Sequence, residues 1–297
     1  MRNAFIDELT KLARIHPHIA LVVGDLGYSV VEPFADEFPD RFINAGVAEQ
    51  NMTGLAAGMA SEGFHVFTYS IANFPTFRCA EQIRNDVDYH HLPVTVVAVG
   101  GGLAYGPLGY SHHAVQDYAL MRTMPNMLIA APGDPMEVRA CMRYLVQHPG
   151  PSYLRLGKAG EPNLHPSPPE IAPGQWLRIK GKSSHSRVLL STGAALGYAI
   201  RHQERGAYGD CAVYSMPLWG MAAKTGQSQH AENFDVVVTL EDHLIDGGFG
   251  SWLTEALVMS DSTTRVKPIA LSPNVCETVG SQSTLNRLGG LDIQSTD

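Results

Sequence analysis

Short apolar runs alternate with longer amphipathic stretches along almost the whole chain, and few folds accept that rhythm. Residues 19–23, 66–69, 94–99 and 127–131 are β-branched or apolar and are closed by Gly, Pro, Asn or Asp, so they read as buried strands. Residues 49–63, 79–88 and 135–147 read as the helices between them. Apolar strands separated by helices belong to a parallel sheet covered on both sides. A second series follows, with strands near 188–191, 211–215, 236–240 and 266–271. Five prolines between 162 and 173 give the intervening stretch the character of a semi-rigid linker. The expectation is an α/β chain of two domains, 1–160 and 185–297, each a mostly parallel sheet with helices on both faces, joined by a Pro-rich linker at 161–184. A length of 297 residues fits two domains of about 100–200 residues each.

Charge narrows the reading further. Asp, Glu, Lys and Arg make up 17% of the chain, against about 25% in ordinary soluble proteins. Such a chain is expected to hide much of its surface against another chain, because obligate interfaces are apolar and depleted in charge. A net charge of −8 without a basic tract excludes a general nucleic-acid binder. No apolar run approaches the roughly 18 residues of a membrane span. The amino terminus, with Phe5, Leu9 and Leu12 in helical spacing, reads as an amphipathic helix rather than a signal peptide, which makes the cytoplasm the expected location. Cys79, Cys141, Cys211 and Cys276 show no metal-binding or redox spacing and are expected to pack as small hydrophobes.

The chemistry concentrates around residues 42–59, where Glu49 opens a helix rich in small residues, Ala56, Ala57, Gly58 and Ala60. A carboxylate in a first turn is commonly no more than a partner for the helix dipole. The small residues behind it permit close approach of another backbone, and a carboxylate buried in such an interface needs a partner or an altered proton affinity.

The segment Gly46-Val-Ala-Glu-Gln-Asn-Met52 resembles the pyrimidine-binding domain of transketolase-family thiamine-diphosphate enzymes, above all their separately encoded carboxy-terminal subunits. The resemblance continues through Glu81-Gln-Ile-Arg-Asn85, residues 120–127, Ala131-Pro-Gly-Asp134, Leu190-Ser-Thr-Gly193, Leu240-Glu-Asp-His243 and Gly247-Gly-Phe-Gly-Ser251, in the family's order over nearly the whole chain. It implies a pyrimidine-binding domain followed by a transketolase C-terminal-like domain, the latter serving packing and dimerisation. It also implies that Glu49 hydrogen-bonds N1′ of the thiamine diphosphate aminopyrimidine and, protonated, favours the imino tautomer that activates the cofactor. Phe74, with Phe77 as the alternative, becomes the aromatic wall of the pyrimidine; otherwise both are core aromatics under a turn. His112 becomes the donor-binding and proton-moving histidine, while His113 stands where the family usually has Gln. As adjacent side chains the two histidines make poor ligands for one metal ion, and no metal site is expected in this chain. Asp25 is either a helix cap or a cofactor contact, and Ser29 is a weaker contact of the same kind.

Departures from the family pattern point away from its standard pentose phosphates. Pro107-Leu108 replaces an acidic pair, Gly100 stands at the position of a phosphate-holding histidine, and Lys158 stands at that of a phosphate-binding arginine. Lysine offers a point charge without the bidentate fork; Arg155 either compensates or points into an interface. The family's Gly-Asp-Gly…Asn signature for diphosphate and Mg²⁺ does not occur: Gly24-Asp25 is followed by Leu and Gly209-Asp210 by Cys. The resemblance therefore implies an amino-terminal partner subunit that holds Mg²⁺ and diphosphate, an α₂β₂ heterotetramer, and small sugar substrates exchanging a two-carbon ketol unit. The alternatives are a 2-oxoacid dehydrogenase beta subunit, a deoxyxylulose-phosphate-synthase-like enzyme, and a non-catalytic scaffold or regulatory subunit.

Overall fold

The computed structural model describes residues 1–158, 160–182 and 186–292. Two sheets organise it. The first contains β1 (Ile19–Val23), β2 (Phe42–Asn44), β3 (His65–Ile71), β4 (Val94–Val99), β5 (Leu128–Ala130) and β6 (Ser152–Leu156), all running parallel. Every residue of β1, β4 and β6 is buried, which is why these runs carry apolar side chains on both faces. The second sheet contains β7 (Leu177–Lys180), β8 (Arg187–Ser191), β9 (Ala212–Ser215), β11 (Val236–Leu244) and β12 (Arg265–Leu271), in the order β12-β11-β8-β9-β7. The strand between them in sequence, β10 (Leu218–Gly220), instead joins the first sheet antiparallel to β5, giving the order β10-β5-β6-β4-β3-β1-β2.

Besides β2, β6 and β10, which are not among the expected strands, two further features differ from the sequence expectation. Strand β7 lies inside the stretch expected to be linker and pairs antiparallel with β9. Beside it the Trp176 indole donates to Gln227 at 2.9 Å, so tertiary contacts hold this proline-flanked segment extended. The helix expected over 79–88 is broken into a single turn, Phe77–Cys79, then α4 (Ala80–Gln82) and a π-helical stretch, Ile83–Asp88.

The first sheet is covered on one side by α1 (Arg2–Ile15), α2 (Glu32–Glu37) and α6 (Pro135–Gln147), and on the other by α3 (Glu49–Ser61) and the 77–88 segment. Buried Glu8 of α1 bonds both Arg139 and Arg143 of α6. The remaining helices are α5 (Asp117–Met121), α7 (Leu196–Glu204), α8 (Gln227–Ala231), α9 (Phe249–Val258) and α10 (Gln282–Leu288). All four cysteines are free thiols; three are buried and Cys276 is half-buried. Among the described residues no helix is long and apolar enough to cross a membrane.

The sheets are tied by a buried charge cluster. Arg155 of β6 donates to Asp117 of α5 at 2.7 Å and to Asp242 of β11 at 2.6 Å, and its guanidinium lies 4.3 Å from the Tyr118 ring centre. It also donates to the carbonyls of Ala114 and Asp242, leaving the cation fully served. Arg155 therefore points into the contact between sheets and is not free to replace a phosphate-binding arginine. Removing one member of a buried ion cluster strands the others without a partner. Arg155→Leu is expected to cost about 3–5 kcal/mol in urea unfolding, because two buried carboxylates lose their cation.

His65 offers a second check. Its ring is buried on Phe67 and bonded to Thr95 at 2.9 Å, and burial, with His18 and His16 nearby, pushes its pKa down to about 3. The unfolded chain then binds a proton that the folded chain refuses, so this group's contribution to stability is complete above its ordinary value near 6.5 and drains away between there and about 3. His65→Gln should flatten that dependence: its melting temperature relative to wild type is expected to rise as pH is lowered from 7 to 4.5.

Candidate active site

Five neighbouring parallel strands, β6, β4, β3, β1 and β2, deliver their carboxyl ends to one edge of the first sheet, where open α/β folds build their sites. At the end of β1, Asp25 adopts a left-handed backbone (φ 57°) and its carboxylate accepts from Asn44 at 2.9 Å and from Tyr28 at 3.0 Å. These bonds hold the carboxyl below its ordinary range. Asp25 is thus a turn residue bound to the end of β2 and not a helix cap, since α2 begins at Glu32 after Val31. Ser29, also left-handed (φ 64°) and exposed, gives its amide to Glu32 at 2.7 Å.

Asn44 also accepts the Gly46 amide at 2.9 Å, and Gly46 takes the positive φ of 73° that turns the chain into α3. Glu49, the first residue of that helix, is only 4% exposed. One oxygen, Oε2, accepts from Arg78 at 3.1 Å; the other, Oε1, is buried and has no partner among the described residues. A buried carboxylate oxygen without a partner is costly unless something binds there. Gly24 lies beside Glu49: a Cβ there would stand 3.6 Å from Glu49 Cγ, at ordinary contact distance.

Beyond β3, Phe74 is half-buried and Phe77 is 48% exposed. The Phe74 ring meets His112 edge-on at 5.2 Å, while the Arg78 guanidinium covers it at 4.2 Å. Asn73 donates to the carbonyls of Ser111 and His113 at 3.2 and 2.9 Å, fastening the loop that carries His112. Partial burial, then the Arg78 cation and His113, hold the His112 ring below the usual histidine value, which favours the neutral, proton-accepting form at neutral pH. His113, expected beside it as a substrate contact, is instead enclosed at 1% exposure with Nε2 3.3 Å from the Gly106 carbonyl. Consecutive residues in this turn diverge, and only His112 accompanies Phe74.

Lys158, at the end of β6, is exposed and places its ammonium 5.2 Å from the Tyr105 ring centre. Tyr105 also packs 6.3 Å from His112. A Cβ on Gly100, where φ is 82°, would lie 2.1 Å from the Tyr105 ring, so the tyrosine fills the space a side chain at position 100 would need. The structure therefore links Glu49 to Phe74 through Arg78 and Phe74 to His112 by ring contact, ties Asp25 to Asn44 at the turn into α3, and sets Lys158 against Tyr105.

Comparison with known proteins gives the family of the chain. Residues 1–161 match the family model "Transketolase, pyrimidine binding domain", more than half of the chain. The chain belongs to the transketolase family. It is 29% identical to an apulose-4-phosphate transketolase subunit of Actinobacillus succinogenes, over 93% of this chain and 89% of that protein. It is 31% identical to a putative transketolase C-terminal section of Methanocaldococcus jannaschii, over 99% and 93%. It is 32% identical to the 1-deoxy-D-xylulose-5-phosphate synthase of Saccharophagus degradans, but spans only 44% of that protein. Among solved structures, the split-gene transketolase described as an inactive beta4 tetramer superposes with a TM-score of 0.84 at 30% identity, over 98% of this chain and 93% of that one.

Within this transketolase chain, the sequence reading missed Arg78, Asn73 and Tyr105. Asn73 precedes the singled-out Phe74, and Tyr105 is one of two tyrosines in the Gly-rich loop; position alone was the available signal. The Gly100–Tyr105 contact can be tested directly. Gly100→Ala is expected to lower stability by about 1–3 kcal/mol through overpacking and positive-φ strain. Adding Tyr105→Ala should recover part of that loss, read from paired melting curves.

Proposed function

We propose that this transferase subunit carries two-carbon ketol transfer from a ketose to an aldehyde, with thiamine diphosphate bound at Glu49 and Phe74. The observation that carries the reading is the unpartnered, buried Oε1 of Glu49 at the strand ends beside a half-buried aromatic ring. That pair suits an aminopyrimidine, which needs a carboxyl at its edge and an apolar wall on its face. When bound, the cofactor supplies the electron sink for breaking and remaking the carbon–carbon bond. This chain's residues do the rest: Glu49 holds a proton at the pyrimidine edge, Phe74 orients the ring, and neutral His112 accepts a proton from, or hydrogen-bonds, a substrate oxygen.

Diphosphate and Mg²⁺ are assigned to a separate amino-terminal subunit in an α₂β₂ assembly, because this sequence lacks their binding signature. Support comes from the near end-to-end match to relatives named as a subunit or a C-terminal section. The acceptor is taken to be less hydroxylated than ribose 5-phosphate or to carry a different anion. Tyr105 in the space beside Gly100, the exposed Leu108 and the single-point cation of Lys158 favour that choice.

In the assembly reconstituted with the diphosphate-binding partner, Glu49→Gln is expected to lower kcat by at least about 100-fold while leaving the circular dichroism unchanged. Wild-type rates in that variant would remove Glu49 from the chemistry. An aldehyde screen with a ketose donor should find an acceptor better than ribose 5-phosphate. Equal efficiency with xylulose 5-phosphate and ribose 5-phosphate would overturn the substrate reading, and decarboxylation of pyruvate would favour a synthase or dehydrogenase instead.

A further inference from the structure

We infer that Arg78 is a displaceable gate of the cofactor site: its guanidinium holds the position of the aminopyrimidine until the cofactor moves it aside. This rests on the assignment of Glu49 and Phe74 to that ring. Two contacts define the side chain, the 3.1 Å bond to Glu49 Oε2 and the 4.2 Å approach to the Phe74 ring centre. The carboxyl and the ring are those an aminopyrimidine requires, with Arg78 on Oε2 and on the ring face while Oε1 stays open. A guanidinium is itself planar, with N–H groups along its edge and a face that lies on aromatic rings. One side chain therefore meets both demands of the site with the same geometry.

The cavities around it show the same division. Glu49 faces a cleft of about 460 Å³ lined by Val47, Ala48, Gln50 and Asn51. Phe74 and Phe77 face a second, of about 370 Å³, lined by Asn73, Tyr110 and Ser111. Arg78 lines both and stands between the carboxylate and the ring. A ligand that touches Glu49 and Phe74 together needs that space.

The gate is cheap to open. The Arg78 side chain is 50% exposed, so its ion pair is screened by water and worth little, and a cation over a ring at such a site adds a modest amount. Displacement carries the guanidinium into solvent on its flexible stem while Glu49 stays fixed in α3. Arg78 thus acts as a positioning residue that covers a buried carboxylate and an aromatic face in the absence of cofactor and sets the apparent affinity by competing for both.

The test is calorimetric titration of thiamine diphosphate, with Mg²⁺, into the assembly reconstituted from this chain and its diphosphate-binding partner. Arg78→Ala and Arg78→Gln should bind the cofactor about three- to tenfold more tightly than wild type. Arg78→Lys, which keeps the charge but loses the plane, should fall between. Unchanged or weaker binding in both Arg78→Ala and Arg78→Gln, with circular dichroism matching wild type, would overturn the gate while leaving the assignment of Glu49 intact. If the wild-type assembly binds no cofactor, or Glu49→Gln binds and turns over as wild type does, the assignment itself fails and the gate fails with it.

Discussion

The Arg155 guanidinium, buried between Asp117 and Asp242, is the charged tie between the two sheets, beside the apolar core they share and the crossing of β10. Its influence reaches the active site along the Gly-rich loop. Gly102 sits so close to Asp242 that a Cβ would fall 2.3 Å from the carboxylate, and Gly106 is pressed against the Gly280 carbonyl and Leu285. Leu103 and Val115 of the same loop join the apolar core of the second sheet. The second sheet therefore acts as the floor on which this loop rests, and His112 is presented to Phe74 from that floor. Arg155 contributes to that support through its bond to the Ala114 carbonyl, together with the Asn73 bonds to Ser111 and His113.

The opposite side of the site is built differently. Asn44 and Asp25 fix the turn into α3, and that turn aims Glu49 at the strand ends. The outward face of α3 carries exposed Gln50, Asn51, Leu55 and Ser61 around two glycines, Gly54 and Gly58, on which a Cβ would meet nothing within 4 Å, and exposed Val47 precedes it. A surface of that kind suits close packing by another chain, which fits both the low charge of the sequence and a cofactor lying between subunits.

Buried strands β1, β3 and β4 were legible because their residues are mostly apolar without alternation, a pattern that a sheet covered on both faces rewards, whereas buried β6, with Ser152 and Arg155, was not among the expected strands. Glu49 was legible through the motif around it, and Phe74 through its place after β3. Edge strands β7 and β10 were not, being three or four residues long and paired antiparallel by tertiary contacts. Asp242 lies 87 residues from Arg155, so no local spacing could join them. Arg78 lies 29 residues from Glu49, and nothing in its neighbours announces that it covers an aromatic ring. His112 was preferred to His113 through the resemblance, but the inward turn of His113 was not legible: it follows Gly109, with its φ of 77°, and leaves only His112 beside Phe74.

The central claim is that this chain contributes one half of a shared cofactor site. The most direct measurement compares ketol transfer by the purified chain alone, with thiamine diphosphate and Mg²⁺ supplied, and after stoichiometric addition of the diphosphate-binding partner. The account predicts weak cofactor binding and no turnover for the chain alone, and turnover that saturates as the partner reaches equimolar amounts. Robust turnover by the solitary chain would contradict it.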